Sequence, residues 1–166
     1  MFKVGDKIVY PMHGAGTITD IEEKEILGSV KSYYILKMPV SELKISIPVD
    51  KINDMGIRPI VDTDKAKKMS ELILEETENK IKNWNKRYKT NLNKLKSGKL
   101  DEVCIVYRDL YILDAQKGLS MIEKKILNAS KKMLVSEIAL ALDKDPDELT
   151  KQFEKEIYDR HIKNDS

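Results

Sequence analysis

The period of the hydrophobic pattern changes once, near residue 60, and this change constrains the fold more than any other feature. Residues 1–58 consist of short alternating runs interrupted by glycine and proline. The strand-like runs are Lys7–Tyr10, Thr17–Ile21, Tyr33–Met38 and Leu43–Pro48. Five or so short strands at this spacing predict a small, strongly bent sheet or an SH3-like β-barrel. Segment 11–16 holds a proline and two glycines and is expected to be a loop.

Apolar residues recur at helical spacing from about Thr63 onward. Side chains that can cap a helix precede four of the helical runs. The expected N-terminal caps are Asp62–Asp64, Asn83, Ser120 (in a capping box with Glu123) and Asp145. A further helix is expected over 100–117, between Gly98 and Gly118. The sequence therefore predicts an α+β chain of two domains, a β domain at 1–60 and a compact all-α domain of about five helices at 61–166.

Charge is concentrated in one segment, residues 79–99, which holds eight basic residues and no acidic one. The whole chain has a net charge of +2, so the remainder sums to −6. A positive patch on an otherwise mildly acidic chain indicates a polyanion partner, although lysine-rich helix faces are often simply solvated. The first 58 residues hold eight basic and eight acidic residues, which favours a protein partner for that half.

Trp84 is the only tryptophan and lies inside this basic segment. Its helical spacing from Tyr88 is typical of core packing. Its place in the first helical turn after Asn83 and the cations around it argue against burial, so the residues leave both interpretations open. On a nucleic-acid surface, lysine and arginine would neutralise phosphates while the ring stacks on or wedges beside bases. The flanking cations are Lys82, Lys86, Arg87 and Lys89. Backbone amides at the helix start add phosphate donors. The segment offers no ordered set of Arg, Asn and Gln side chains to read base edges in the major groove, which favours recognition of the DNA backbone and shape over its sequence.

Other classes of function find little support. Gly14-Ala15-Gly16 lacks the further glycine and the lysine of a phosphate-binding loop. Cys104 lies in an apolar run, and His13 and His161 have no metal-ligand spacing. We therefore expect no enzyme activity, catalytic residue, metal site, cofactor or small-molecule substrate.

The sequence also predicts a cytoplasmic location. No run approaches the ~18 apolar residues of a membrane span. The first residues lack a signal-peptide pattern, and a single cysteine fits a reducing compartment.

Residues in both halves match the pattern of one family. In the first half they are Lys3–Pro11, His13–Gly16, Tyr33–Lys37, Ile47–Val49 and Gly56–Arg58. In the second half they are Asn83-Trp84, Arg87–Lys89, Asn91-Leu92, Lys94-Leu95, Ser97-Gly98, Val106, Arg108–Leu110, Gly118–Ser120 and Glu123-Lys124. With these residues in this order over about 1–142, the chain resembles the CarD family of bacterial transcription regulators.

The resemblance implies an N-terminal Tudor-like RNA polymerase interaction domain, similar to that of the transcription-repair coupling factor, which docks on the polymerase β subunit. It also implies a helical domain that contacts promoter DNA at the upstream edge of the transcription bubble and stabilises the open complex. The family tryptophan matches Trp84 and would wedge into the minor groove. The implied DNA-binding residues are Lys82, Asn83, Trp84, Lys86, Arg87 and Lys89, and the implied polymerase-binding residues are Lys24, Glu25, Ile26 and Ser46.

Three positions depart from the family pattern. Lys24 stands where relatives can carry arginine and cannot form a bidentate fork, Ser46 occupies a position where a basic residue is expected, and Lys86 replaces a frequent arginine. The alternative function is a protein-interaction adaptor whose helical domain binds acidic protein surfaces without contacting DNA.

Overall fold

The computed structural model describes residues 1–76 and 83–163. Within these ranges the chain forms an antiparallel five-stranded sheet followed by five α-helices, which confirms the predicted α+β fold. The strands are β1 (Lys7–Tyr10), β2 (Gly14–Ile26), β3 (Ser29–Lys37), β4 (Lys44–Pro48) and β5 (Arg58–Pro59). The helices are α1 (Thr63–Leu72), α2 (Trp84–Ser97), α3 (Leu100–Lys117), α4 (Met121–Leu142) and α5 (Pro146–Ile157).

The long strand β2 organises the sheet, whose order is β4-β3-β2-β1-β5. Its first residues pair with β1, and the rest pairs with β3 out to Ile26. A bulge between Ile18 and Asp20 breaks the register with β3, as bulges do where a strand bends. Leu27 and Gly28 then turn the chain with φ of 53° and 80°, so β2 and β3 form a hairpin closed by a turn with two positive φ angles.

The expected loop at 11–16 is too long, because β2 begins at Gly14 and residues 14–16 pair with β1. The glycines serve close packing here rather than interruption. A Cβ on Gly14, whose φ is +112°, would lie 2.9 Å from the Ser136 hydroxyl of α4. A Cβ on Gly16 would lie 2.7 Å from the Lys37 carbonyl oxygen of β3. Both strand positions require the absence of a side chain.

The buried residues form two hydrophobic clusters, one from the sequence before residue 60 and one from the sequence after it. The first is formed by the inward face of the sheet and includes Ile8, Tyr34 and Ile47. The second is formed by all five helices, and its largest side chains include Tyr107 and Phe153. The caps predicted from the sequence are observed, since the Asp62, Asn83, Ser120 and Asp145 side chains each accept a hydrogen bond from the first helical turn.

The two halves are joined by buried polar contacts between the sheet and α4. The Ala15 amide donates to the Ser136 hydroxyl at 2.8 Å. Arg58 of β5 forms a bidentate ion pair with Glu137, at 2.8 Å for both hydrogen bonds. The Val61 amide also donates to the Glu137 carboxylate, at 2.9 Å. This carboxylate, 2% exposed, therefore accepts hydrogen bonds from the last strand of the sheet and from the segment that follows it.

Candidate nucleic-acid interface

The start of α2 presents an aromatic ring and several cations to solvent. The Asn83 side chain caps the helix by accepting from the Lys86 amide at 3.0 Å, which makes Trp84 the first helical residue. The Trp84 side chain is 41% exposed, so it is not a core residue. Lys86 and Lys89 are exposed on the following turns. Lys82, also predicted to bind DNA, lies outside the described residues.

The indole of Trp84 is held on two sides. Its ring stacks on that of Tyr88, with 6.2 Å between centroids and 11° between planes. Its Nε1–H donates to the Ser120 hydroxyl at 3.3 Å. Ser120 also caps α4 by accepting from the Glu123 amide, so one hydroxyl joins the starts of two helices. The ring is therefore oriented while one part of it stays open to solvent, as a wedge requires.

An ion pair joins the same two helices beside the indole. The Arg87 guanidinium donates to both carboxylate oxygens of Glu123, at 2.7 and 2.6 Å. Glu123 is 2% exposed, and its hydrogen bond raises the pKa of Arg87. The carboxylate of Glu123, which the sequence predicts in a capping box with Ser120, therefore binds Arg87. With its guanidinium engaged in this way, Arg87 is placed to orient the helix start, and phosphate contact by Arg87 stays a prediction.

The opposite end of α2 is fixed to the other half of the protein. Gly98 ends the helix in the left-handed conformation with a φ of 70°. Its carbonyl accepts from Arg58 Nη2 at 2.8 Å and from Nε at 3.2 Å, while the same guanidinium binds Glu137. Arg58 therefore connects β5, the end of α2 and the C-terminal third of α4.

The predicted polymerase-binding residues lie on and beside the β2–β3 hairpin. Lys24 donates to the Ser46 hydroxyl at 2.9 Å, and its ammonium lies 5.5 Å from the centroid of the Tyr33 ring. The structure thus brings Lys24 and Ser46 together across three strands. Glu25 and Ile26 are exposed near the end of β2, next to the fully exposed Leu27.

Three functional contacts escape sequence reasoning because they join distant residues. Glu123 is recognisable as a capping-box member, but its pairing with Arg87 has no local signal. Glu137 and Arg58 are 79 residues apart, and nothing in the sequence distinguishes them from other charged residues. Ser120 is predictable as a cap, whereas its bond to Trp84 requires the packing of α2 on α4.

Alternative chemistries gain no support from the part of the chain that the structure describes. In residues 1–76 and 83–163, no three His, Cys, Asp or Glu side chains lie together in a way that could hold a metal ion. No helix in these ranges is long and apolar enough to span a bilayer. Cys104 is buried, and burial raises the pKa of its thiol to about 12. Burial and the nearby Lys132 lower the pKa of His13, whose ring packs on Tyr10.

Both halves of the chain match known protein families. Residues 2–61 match the family model of the CarD-like/TRCF RID domain, and residues 68–154 match that of the CarD C-terminal domain. A relative from Bacillus subtilis (strain 168), named "Putative transcription factor YdeB", is 40% identical over 138 residues, which cover 83% of this chain and 90% of the relative. The chain therefore belongs to the CarD family of transcription factors and carries that family's RNA polymerase-interaction type of domain at its N-terminus.

Proposed function

We propose that this protein docks on the β subunit of RNA polymerase and stabilises the open promoter complex. In this proposal a domain at 1–60 binds polymerase, and a domain at 61–166 contacts promoter DNA at the upstream edge of the bubble. Its site of action is the cytoplasm, on polymerase bound to the nucleoid. The observation that carries the DNA half is the oriented, partly exposed Trp84 ring beside the exposed Lys86 and Lys89.

The mechanism is differential binding. Lysines at the start of α2 neutralise phosphates in any promoter complex, whereas the indole enters the minor groove only where base steps have opened. A contact made in the melted state alone shifts the equilibrium towards that state. One stacked aromatic contributes about 1–3 kcal/mol, which changes the ratio of open to closed complexes about fivefold to more than a hundredfold.

The wedge is tested by Trp84→Ala. Because the indole is partly exposed, the variant is expected to fold and to bind polymerase, while the lifetime of open complexes falls by the factor above. The matched control is Tyr158→Ala, which removes an aromatic side chain that is 49% exposed on another surface. Unchanged lifetimes with Trp84→Ala would contradict the wedge. If the unaltered protein also bound no DNA in the presence of polymerase, the protein-interaction adaptor would take its place.

The docking surface is tested separately by Lys24→Glu. This change removes the hydrogen bond between Lys24 of β2 and Ser46 of β4. It also replaces the positive charge of Lys24 with a negative one. We expect at least tenfold weaker binding to the β subunit, consistent with the loss of a few kcal/mol at a charged contact. Lys51→Glu reverses an exposed charge elsewhere in the same half and should leave affinity unchanged. Equal affinity in both variants would move the docking surface away from Lys24.

A further inference from the structure

Two large apolar side chains are exposed at the start of α4, next in sequence to the residue that Trp84 contacts. Met121 is 79% exposed and Ile122 is 46% exposed, and they are the first two residues of α4. They follow Ser120, whose hydroxyl lies 3.3 Å from the indole Nε1. Since consecutive Cα atoms are about 3.8 Å apart, the Cα atoms of both residues lie within about 8 Å of the Ser120 Cα. Trp84, Met121 and Ile122 together are called the apolar patch below.

The charged residues close to the apolar patch in sequence are almost all basic. Exposed lysines follow it on both helices: Lys86, Lys89, Lys124 and Lys125. In the segments 83–99 and 117–127 the single acidic residue is Glu123. Its carboxylate is buried and bound by Arg87, so it presents no negative charge to a ligand.

An apolar centre with a cationic rim fits a partner that has apolar faces joined by anionic groups. A nucleic-acid strand whose bases have left the stack has this chemistry, since its sugars and base faces are apolar and its phosphates are negative. Methionine and isoleucine also belong to the side chains that wedge into opened base steps. A fully paired duplex offers the phosphates but keeps its base faces covered.

We propose that Met121 and Ile122 form a second apolar contact to opened DNA. They would contact sugars and base faces next to those that Trp84 contacts. This inference rests on the proposed function and extends its DNA contact from α2 to α4. The two residues act through shape and apolar contact, so they discriminate opened from paired DNA and contribute little to the electrostatic attraction.

The test uses the full chain with Met121→Ser and Ile122→Ser combined. Both positions are exposed in the first turn of α4, where serine is tolerated, so folding is preserved. Affinity is measured, with RNA polymerase present and absent, for a duplex with a short unpaired segment and for its fully paired counterpart, across a salt series. We expect about fivefold to twentyfold weaker binding to the unpaired segment, at most about a twofold change on the paired duplex, and an unchanged salt slope.

The matched control is Leu27→Ser with Val30→Ser, which removes two exposed apolar side chains from the β2–β3 hairpin. It is measured without RNA polymerase, because this hairpin belongs to the proposed docking surface, and should leave DNA affinity unchanged. Equal affinity of the α4 variant for the unpaired segment overturns the inference, as does the absence of binding by the unaltered protein. Loss of polymerase binding without DNA would assign the apolar patch to a protein contact and overturn it too. If Trp84→Ala weakens binding while the α4 variant does not, the inference fails and the wedge survives.

Discussion

The two ends of α2 are fixed by the same chemistry but to different parts of the molecule. At its start, Arg87 on the helix holds Glu123 of α4, so both partners belong to the helical half. At its end, Arg58 comes from β5 and binds the Gly98 carbonyl together with Glu137 of α4. The first pair sets how the indole is presented within the helical half. The second pair sets where the whole helix stands relative to the sheet.

Breaking the pair at the start should have the largest effect on stability. Arg87→Ala leaves the buried Glu123 carboxylate without the two hydrogen bonds from the guanidinium, and removing one partner of a buried pair costs about 3–5 kcal/mol. We expect a loss near the middle of that range in denaturant unfolding. Lys86→Ala, a neighbouring exposed cation, should change stability by less than about 0.5 kcal/mol. A loss below about 1 kcal/mol for Arg87→Ala would mean that the ion pair does not hold the helix start.

Breaking the connection at the end should cost less stability but disturb the relation between the halves. Arg58→Ala leaves Glu137 with the Val61 amide as a donor, so we expect a loss of about 2–3 kcal/mol, at or just below the range for buried pairs. The distance between spin labels on cysteines placed at the exposed positions Lys31 and Asn93 should become more broadly distributed. Cys104 should stay unlabelled because its thiol is buried and its pKa is raised to about 12.

The control for this distance measurement is the same labelled pair in the Arg87→Ala protein. There the distribution between β3 and the second half of α2 should stay narrow, because the Arg58 contacts remain. Equal broadening in both variants would show that the two ends do not have separate roles.

The smallest effects are expected from the exposed lysines, which belong to neither attachment. Lys86→Gln and Lys89→Gln should each reduce the steepness of the salt dependence of DNA binding by about 0.9, the value for one phosphate contact. Stability should change by less than about 0.5 kcal/mol. Lys65→Gln and Lys68→Gln on α1 remove exposed charges away from the apolar patch and should leave the slope unaltered.

Local sequence signals predicted the parts of this molecule that depend on neighbouring residues. The change of period near residue 60, the helix caps and the position of Trp84 in a first turn all depend on contacts within a few residues. Gly14 and Gly16 suggest a loop in the sequence, but they lie in a strand. Glycine is needed there because α4 packs closely on Gly14 and β3 packs closely on Gly16. The two-residue strand β5 is too short to leave a periodic pattern.

The ion pairs that hold α2 could not be predicted for a different reason. Arg87 and Glu123 are 36 residues apart, and with 35% charged residues the sequence offers many carboxylates for each arginine. Only the packed fold selects which carboxylate is buried. The same holds for Arg58, which reads as one more basic residue at the end of the first half.

The attachments at both ends of α2 also limit how far the helix can tilt. The helix has 14 residues, so its length is about 21 Å at 1.5 Å per residue. If the attachment at its start were lost, a tilt of about 10° around Gly98 would move the start by about 3.7 Å, close to the 3.4 Å rise from one base to the next along a DNA strand. In the proposed complex, such a tilt would bring the indole to the wrong base step. The attachments at Arg87 and Arg58 would together set how accurately the helix meets DNA in that complex.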